Sequence, residues 1–297
     1  MAGAFCLCGI LLLCEQLPHG GLVTWVSSVA HGNAELFFTK YVKCGLCALV
    51  VLIWPPLYVL MQEGKIRLAL LSFLLLVIGV GLMHSLSAKL GLIASAVVFI
   101  LVWAAPRWAP LLLAFALPVL FFVTPFVTQW FVHAPYILAH MEQLQRLSSM
   151  RVLIWQGLVD SARGHAWLGW GMKSSALIPL SNITLAHMGL SEPPRHPHNA
   201  PLQVWLELGN VGLLLVTATL VVVIHRTAEA MQAPIAKAAV LATIAAYLGG
   251  GLASFGIWQI WWVTVPWMAP SGAPSRGKDL KIRSNLLNMG KNFNSKI

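Results

Sequence analysis

Long stretches of this chain contain no Asp, Glu, Lys or Arg, and that feature limits its fold more than any other. Cys44–Met61 is such a run of 18 residues, Leu68–Ala88 of 21, Leu90–Pro106 of 17 and Leu208–His225 of 18. Trp108–Met141 extends to 34 and Ala238–Ser275 to 38, while residues 1–14 form a further short run. An α-helix needs about 20 mostly apolar residues to cross a bilayer. In the 34-residue run, Pro125, His133, Pro135 and His140 make the second half a poor lipid-facing span, so that helix is expected to end near Phe126. One helix over the last run would be about 57 Å long against a ~30 Å hydrocarbon core. Gly249-Gly250-Gly251 offers a break, so a helical hairpin is expected there. The pattern predicts an all-α polytopic membrane protein of about eight spans. Composition agrees, because 9% charged residues are too few to cover a water-soluble globule of 297 residues. With 58% hydrophobic residues and a mean hydropathy of +0.78, an ordinary cytosolic enzyme and a disordered chain are both excluded.

The runs divide the chain into about five spans over 1–127, a hydrophilic loop over 128–200, about three spans over 201–270 and a tail over 271–297. The tail carries Arg276, Lys278, Lys281, Arg283, Lys291 and Lys296, and is expected to lie disordered against anionic headgroups. Lys65, Arg67, Arg107, Arg226 and Lys237 fall on one side of the predicted spans, and only Lys40, Lys43 and Lys89 on the other. By the positive-inside rule the first side, with both termini, is cytoplasmic and the 128–200 loop faces outward. The N-terminus has no basic residue before its apolar run and no clear cleavage site, which reads as an uncleaved helix or the remnant of a longer region. Cys6, Cys8, Cys14, Cys44 and Cys47 all fall in predicted spans. Cys44-x-x-Cys47 has redox spacing without a βαβ context and reads as helix packing, and no disulfide framework is expected.

The outward loop concentrates the unusual chemistry. Ile137, Met141, Leu144, Leu147, Ile154 and Leu158 share one helical face, and Arg151 falls near its middle while Glu142 and Asp160 fall opposite. A cation on an apolar stripe either snorkels, pairs with a carboxylate, or faces a cavity that holds an anion. Ser148-Ser149 is a candidate break that would void this angular reading. Arg195-His196-Pro197-His198-Asn199 stands just before the sixth span. His-x-His can be a zinc pair, but the loop offers only Glu142, Asp160 and Glu192 as further carboxylates, so no metal is expected. The histidines could equally be interfacial, with Asn199 and Pro201 starting the next helix. That start exposes free N–H groups and a positive dipole end beside Arg195, a spot that attracts phosphate. A histidine such as His198 there could take a proton from a hydroxyl at neutral pH. Lys89 sits at the outer junction of spans three and four, either as a boundary marker or facing the same cavity.

His196-Pro-His-Asn-Ala-Pro-Leu-Gln-Val-Trp-Leu-Glu-Leu-Gly-Asn-Val-Gly-Leu-Leu214 closely resembles the signature of the O-antigen ligase and O-antigen polymerase superfamily. Arg151-Val-Leu-Ile-Trp155 and Leu168-Gly-Trp-Gly171 resemble its Arg-x-x-x-Trp and glycine turn, and Ser87-Ala-Lys89-Leu-Gly91 its serine-basic turn. The resemblance implies an inner-membrane glycosyltransferase with a periplasmic active site, an undecaprenyl-diphosphate-linked glycan as donor and a lipid A–core sugar as acceptor. It implies His198 as the catalytic base and Arg151 and Arg195 as diphosphate-holding residues; Lys89 is expected to join them, with His196 and Asn199 in support. Lys89 stands where arginine is more usual. That family has ten or more spans against about eight here, so a shortened N-terminal region is expected.

A diphosphate is a weakly basic leaving group that needs cationic stabilisation rather than a general acid, and the acceptor hydroxyl needs a base. The expected reaction is therefore a metal-independent, cofactor-free, inverting displacement. An O-antigen polymerase or a protein O-oligosaccharyltransferase would share the fold and differ in acceptor. A lipid-linked glycan flippase would instead place charges and broken helices near the bilayer midplane. An inactive remnant is the remaining alternative.

Overall fold

A computed structural model describes residues 42–83, 85–139, 151–180, 185, 192–253 and 255–268. The expected first span at 1–14, the tail, and Lys40, Glu142, Leu144 and Leu147 lie outside the described residues. Among the described residues every regular element is helical. Helices α1 (Lys43–Leu52) and α2 (Trp54–Gln62) form the span expected over Cys44–Met61, bent by 42°. Pro55 and Pro56 cause the bend, since neither has an N–H to continue the ladder of α1. A turn at Glu63–Gly64 leads to α3 (Ile66–Leu82). Helix α4 (Leu86–Ala104) starts at Ser85, whose hydroxyl accepts the Ala88 N–H at 3.4 Å. Serine is favoured at that position because it satisfies one of the unpaired first-turn donors.

Helix α5 (Ala109–Val132) continues past Phe126, where the sequence reading ended it, and keeps Pro118 and Pro125 inside. Thr124 and Thr128 hydroxyls donate to the Leu120 and Thr124 carbonyls at 2.6 and 2.8 Å around the second proline. Hydroxyls of this kind help a membrane helix tolerate proline. Short α6 (Pro135–Ala139) and α7 (Arg151–Ala162) follow. Helix α8 (Ala200–Ala230) is broken at Gly209, where φ is 65° and ψ is −165°. Helix α9 (Pro234–Gly251) stops at the glycine triplet, as expected.

The second arm of the expected hairpin is absent among the described residues. The chain turns instead and forms the five-residue α10 (Ile260–Thr264), followed by a 3-10 turn over Val265–Met268. Hydrogen bonds of Ile257 and Trp258 to Gln203 and Glu207, and the contact of Gln259 with His196, hold this tryptophan-rich segment out of a regular helix. Four helices, α4, α5, α8 and α9, are long and apolar enough to cross a membrane, and the bent α1–α2 pair brings the number to five. Helix α3 is apolar but has 17 residues. The protein is an all-helical multi-pass membrane protein, and the described residues carry fewer clear spans than the eight expected.

The described residues fall into two compact units. One comprises residues up to Pro110 with Arg226–Gly250 and the residues from Thr264; the other comprises Leu111–His225 with Gly251–Val263. In the first, α4 and α9 approach backbone to backbone. A Cβ on Gly91 would lie 2.9 Å from the Ala246 carbonyl oxygen, and one on Gly249 3.1 Å from that of Leu90. Ala238, Ala239, Ala242, Ala245 and Ala246 are all buried on α9. Lipid-embedded helices gain contact through such small residues, because no hydrophobic effect drives them together. In the second unit Leu158, Val159, Ile178, Leu202, Leu206 and Leu213 form a core closed to solvent.

Gly91→Leu is expected to lower the melting temperature of the purified protein by several degrees, in keeping with an overpacking penalty of about 1–3 kcal/mol. Gly45→Leu, at a position with nothing within 4 Å of the added Cβ, should change it little.

Candidate functional site

The His-x-His segment takes its shape from the start of α8. Asn199 Oδ1 accepts the Leu202 N–H at 3.1 Å, and its backbone carbonyl accepts the Gln203 N–H at 2.9 Å. This is the cap expected from Asn199, and the residue is buried. His198 precedes it with φ at 56°, in the left-handed region that histidine visits more often than most residues. The resulting turn sets the two imidazoles edge to face, with centroids 4.2 Å apart, and the His198 N–H donates to His196 Nδ1 at 3.3 Å.

Between the histidines, the Pro197 carbonyl accepts the indole N–H of Trp155 at 2.7 Å. Trp155 stands on α7 one turn after Arg151, so the two share a face with Cβ atoms about 5–6 Å apart. One hydrogen bond thus joins the Arg151 face of α7 to the histidine turn. Ile154 and Leu158 are buried on that same face and Arg151 is half-buried, so within α7 it stands on an apolar stripe as the sequence indicated. Burial pushes its guanidinium below its ordinary pKa. Among the described residues no carboxylate pairs with it. Asp160 is exposed, and its carboxylate meets His133 Nε2 at 2.9 Å. Arg195 is exposed beside the turn. Lys89 belongs to the other unit, half-buried in the first turn of α4.

Glu207, to which the sequence pattern alone assigns no role, is fully buried. Its carboxylate accepts from the Lys173 backbone N–H at 2.7 Å, the Ser175 hydroxyl at 2.5 Å, the Gln203 amide at 2.9 Å and the Trp258 indole at 2.5 Å. Gln203 in turn accepts the Ile257 N–H at 3.0 Å. Gly256 packs against the His196 ring, and Gln259 Nε2 lies 3.3 Å from His196 Nε2. The 256–259 segment therefore touches both the Glu207 cluster and His196. The signal was present in the sequence, since a lone carboxylate just ahead of an apolar run, four residues after a glutamine, asks for buried partners.

A second device holds the loop before this site. At the Gly209 break two helical bonds are lost, Asn210 N–H to Leu206 and Val211 N–H to Glu207. Each freed group finds a partner in the 166–171 loop. Asn210 and Val211 donate to the Ala166 and Trp167 carbonyls at 2.8 and 3.2 Å, and the Leu206 and Glu207 carbonyls accept from Trp170 and Gly171 at 3.0 and 2.8 Å. The approach needs glycine on both sides. A Cβ on Gly209 would fall 2.2 Å from the Trp167 oxygen, and one on Gly169 2.4 Å from the Glu207 carbonyl carbon. Both have positive φ, 65° and 68°.

Fold and loop together define a multi-pass membrane protein with a histidine-bearing turn braced outside its apolar spans. Residues 71–217 match the family described as O-Antigen ligase, a stretch that holds Lys89, Arg151, Arg195, His198 and Glu207. A Rickettsia felis protein named "Putative polysaccharide ligase" is 28% identical over 259 residues, covering 86% of this chain and 61% of that relative. A similarly named Rickettsia conorii protein is 26% identical over 262 residues, covering 87% and 62%. A Rickettsia prowazekii protein reaches 32% over 122 residues, covering 40% of this chain and 30% of its own length. Over residues 71–217 the chain is similar to the O-antigen ligase family, and the rickettsial relatives extend the similarity over most of its length. The chain spans about three fifths of the length of the first of these relatives. No solved structure matches it.

Burial, reinforced by the neighbouring His198, pushes the His196 imidazole down to about 4. Its ordinary value is 6.5. Between those two values the unfolded chain binds a proton that the folded one refuses, so stability should fall as the pH drops from 6.5 towards 4. Thermal unfolding across that window should show the loss, and His196→Gln should flatten it. Glu207→Ala should destabilise by about 3 kcal/mol or more, because four donors, two of them buried, lose their acceptor, and Glu207→Gln by less.

Proposed function

We propose that this protein is a membrane glycosyltransferase of the ligase type, acting at the periplasmic face of a bacterial inner membrane with both termini cytoplasmic. Its donor is a glycan on undecaprenyl diphosphate and its acceptor a sugar hydroxyl of lipid A–core. In this reading the acceptor oxygen attacks the anomeric carbon, the carbon–oxygen bond to the diphosphate breaks, and the diphosphate departs with the electron pair. His198 takes the acceptor proton, and the anomeric centre inverts. Arg151 and Arg195 hold the diphosphate through paired hydrogen bonds. Asn199 fixes the turn that carries His198, and His196 supports it from the side.

The observation that supports this best is the Trp155–Pro197 hydrogen bond, which ties a half-buried arginine face to the histidine turn. His196, held neutral, leaves its Nδ1 free to accept the His198 amide and so steadies that turn. The names of the rickettsial relatives support a polysaccharide ligase in particular.

The test is transfer in vitro from an undecaprenyl-diphosphate glycan, offering lipid A–core, a growing glycan chain and a protein hydroxyl in separate reactions. Product on lipid A–core is expected; product only on the glycan chain or the protein would assign a polymerase or an O-oligosaccharyltransferase. His198→Ala should lower turnover by about 10²–10⁴-fold at unchanged expression. Near-normal transfer by that variant would remove His198 from the role of base.

A further inference from the structure

The loop spliced onto Gly209 exposes apolar side chains that a water-facing loop would bury. Trp167 is 73% exposed, Leu168 74%, Met172 59% and Leu177 81%. Its backbone position is fixed, because the Ala166 and Trp167 carbonyls accept from Asn210 and Val211. Those two residues open the long part of α8, an apolar stretch able to cross the membrane. The loop therefore sits where a spanning helix meets the membrane surface. The first turns of that helix likewise expose Val211, Leu214 and Leu215.

The charge of the segment fits the same setting. Residues 163–178 contain Arg163, His165 and Lys173 and no Asp or Glu. His165 and Lys173 are exposed, and Lys173 takes a left-handed turn at φ 62° immediately after Met172. Apolar side chains interleaved with cations, with tryptophan among them, match the interface of an anionic bilayer. The loop is anchored on its inner side: Ser174 and Ser175 are buried, and Glu207 accepts both the Lys173 amide and the Ser175 hydroxyl.

We propose that residues 166–177 form a membrane-inserting surface whose partner is the anionic phospholipid bilayer, with Trp167, Leu168 and Met172 seated at the headgroup–acyl boundary. This goes beyond the proposed reaction and does not rest on it. Because the loop shares the Glu207 carboxylate with the helix that carries the histidine turn, the site is built onto a lipid-seated element.

The experiment uses the full chain in nanodiscs containing phosphatidylglycerol. The five cysteines are replaced by serine. A Cys is then placed at Leu168 or, as control, at exposed Glu192, and labelled with an environment-sensitive fluorophore. A lipid bearing a nitroxide near the top of its acyl chain should quench the Leu168→Cys probe about threefold more than the Glu192→Cys probe, with iodide showing the reverse. Equal iodide quenching at both sites would overturn the proposal. So would protection from both quenchers, which would mean that another protein surface covers the patch. Should the cysteine-free chain fail to fold, the emission lost on Trp167→Phe in the native background answers the same question. Brominated lipid should quench that component and iodide should not; the opposite pattern overturns the proposal.

Discussion

A carboxylate closed to water must find hydrogen-bond donors or give up its charge, and Glu207 finds four. They come from the 173–175 loop, from its own helix and from the tryptophan-rich stretch after α9, regions far apart in sequence. Satisfying one residue therefore draws three segments together. The same segments carry the contacts to His196: Gln203 ties down Ile257, and Gly256 and Gln259 flank the ring. One side of the His196 ring is thus bounded by a segment that Glu207 also holds.

The bilayer imposes a related demand on the main chain. Backbone amides and carbonyls near lipid cannot be left without partners, so a break in a spanning helix needs replacement bonds. The Gly209 break obtains them from residues 166–171, two donors and two acceptors in each strand of the splice. The break also shortens the helical segment that begins at Asn199, so the capped turn beside the histidines belongs to a separate piece, 200–208, and not to the long membrane-crossing part. On the proposed reading, that piece can be oriented by the loop chemistry independently of the tilt of the span.

The helical class and most span positions were readable from the charge-free runs, because exclusion of ionised side chains from hydrocarbon is a strong and local rule. Asn199 as a cap, and the apolar stripe around Arg151, were readable for the same reason: both depend on neighbours within one or two turns. What could not be read were long-range partners. The Trp155 bond to Pro197 crosses 42 positions and the Trp258 bond to Glu207 crosses 51. No periodicity reports such pairs. Run length also misled at the C-terminal end, where 38 charge-free residues suggested a hairpin. Tryptophans with indole N–H groups to satisfy count as apolar in such a tally, yet Trp258 and Trp261 behave as donors. At α5 the reverse occurred, since proline read as an end was absorbed into the helix.

The left-handed backbone at His198 carries a consequence of its own. An L-residue there gives up about 1–2 kcal/mol that glycine would not. The neighbours make the conformation hard to escape: Pro197 is fixed from Trp155 and Asn199 is committed to its cap. The direction in which the His198 side chain leaves the main chain is consequently set by the backbone before any molecule approaches it.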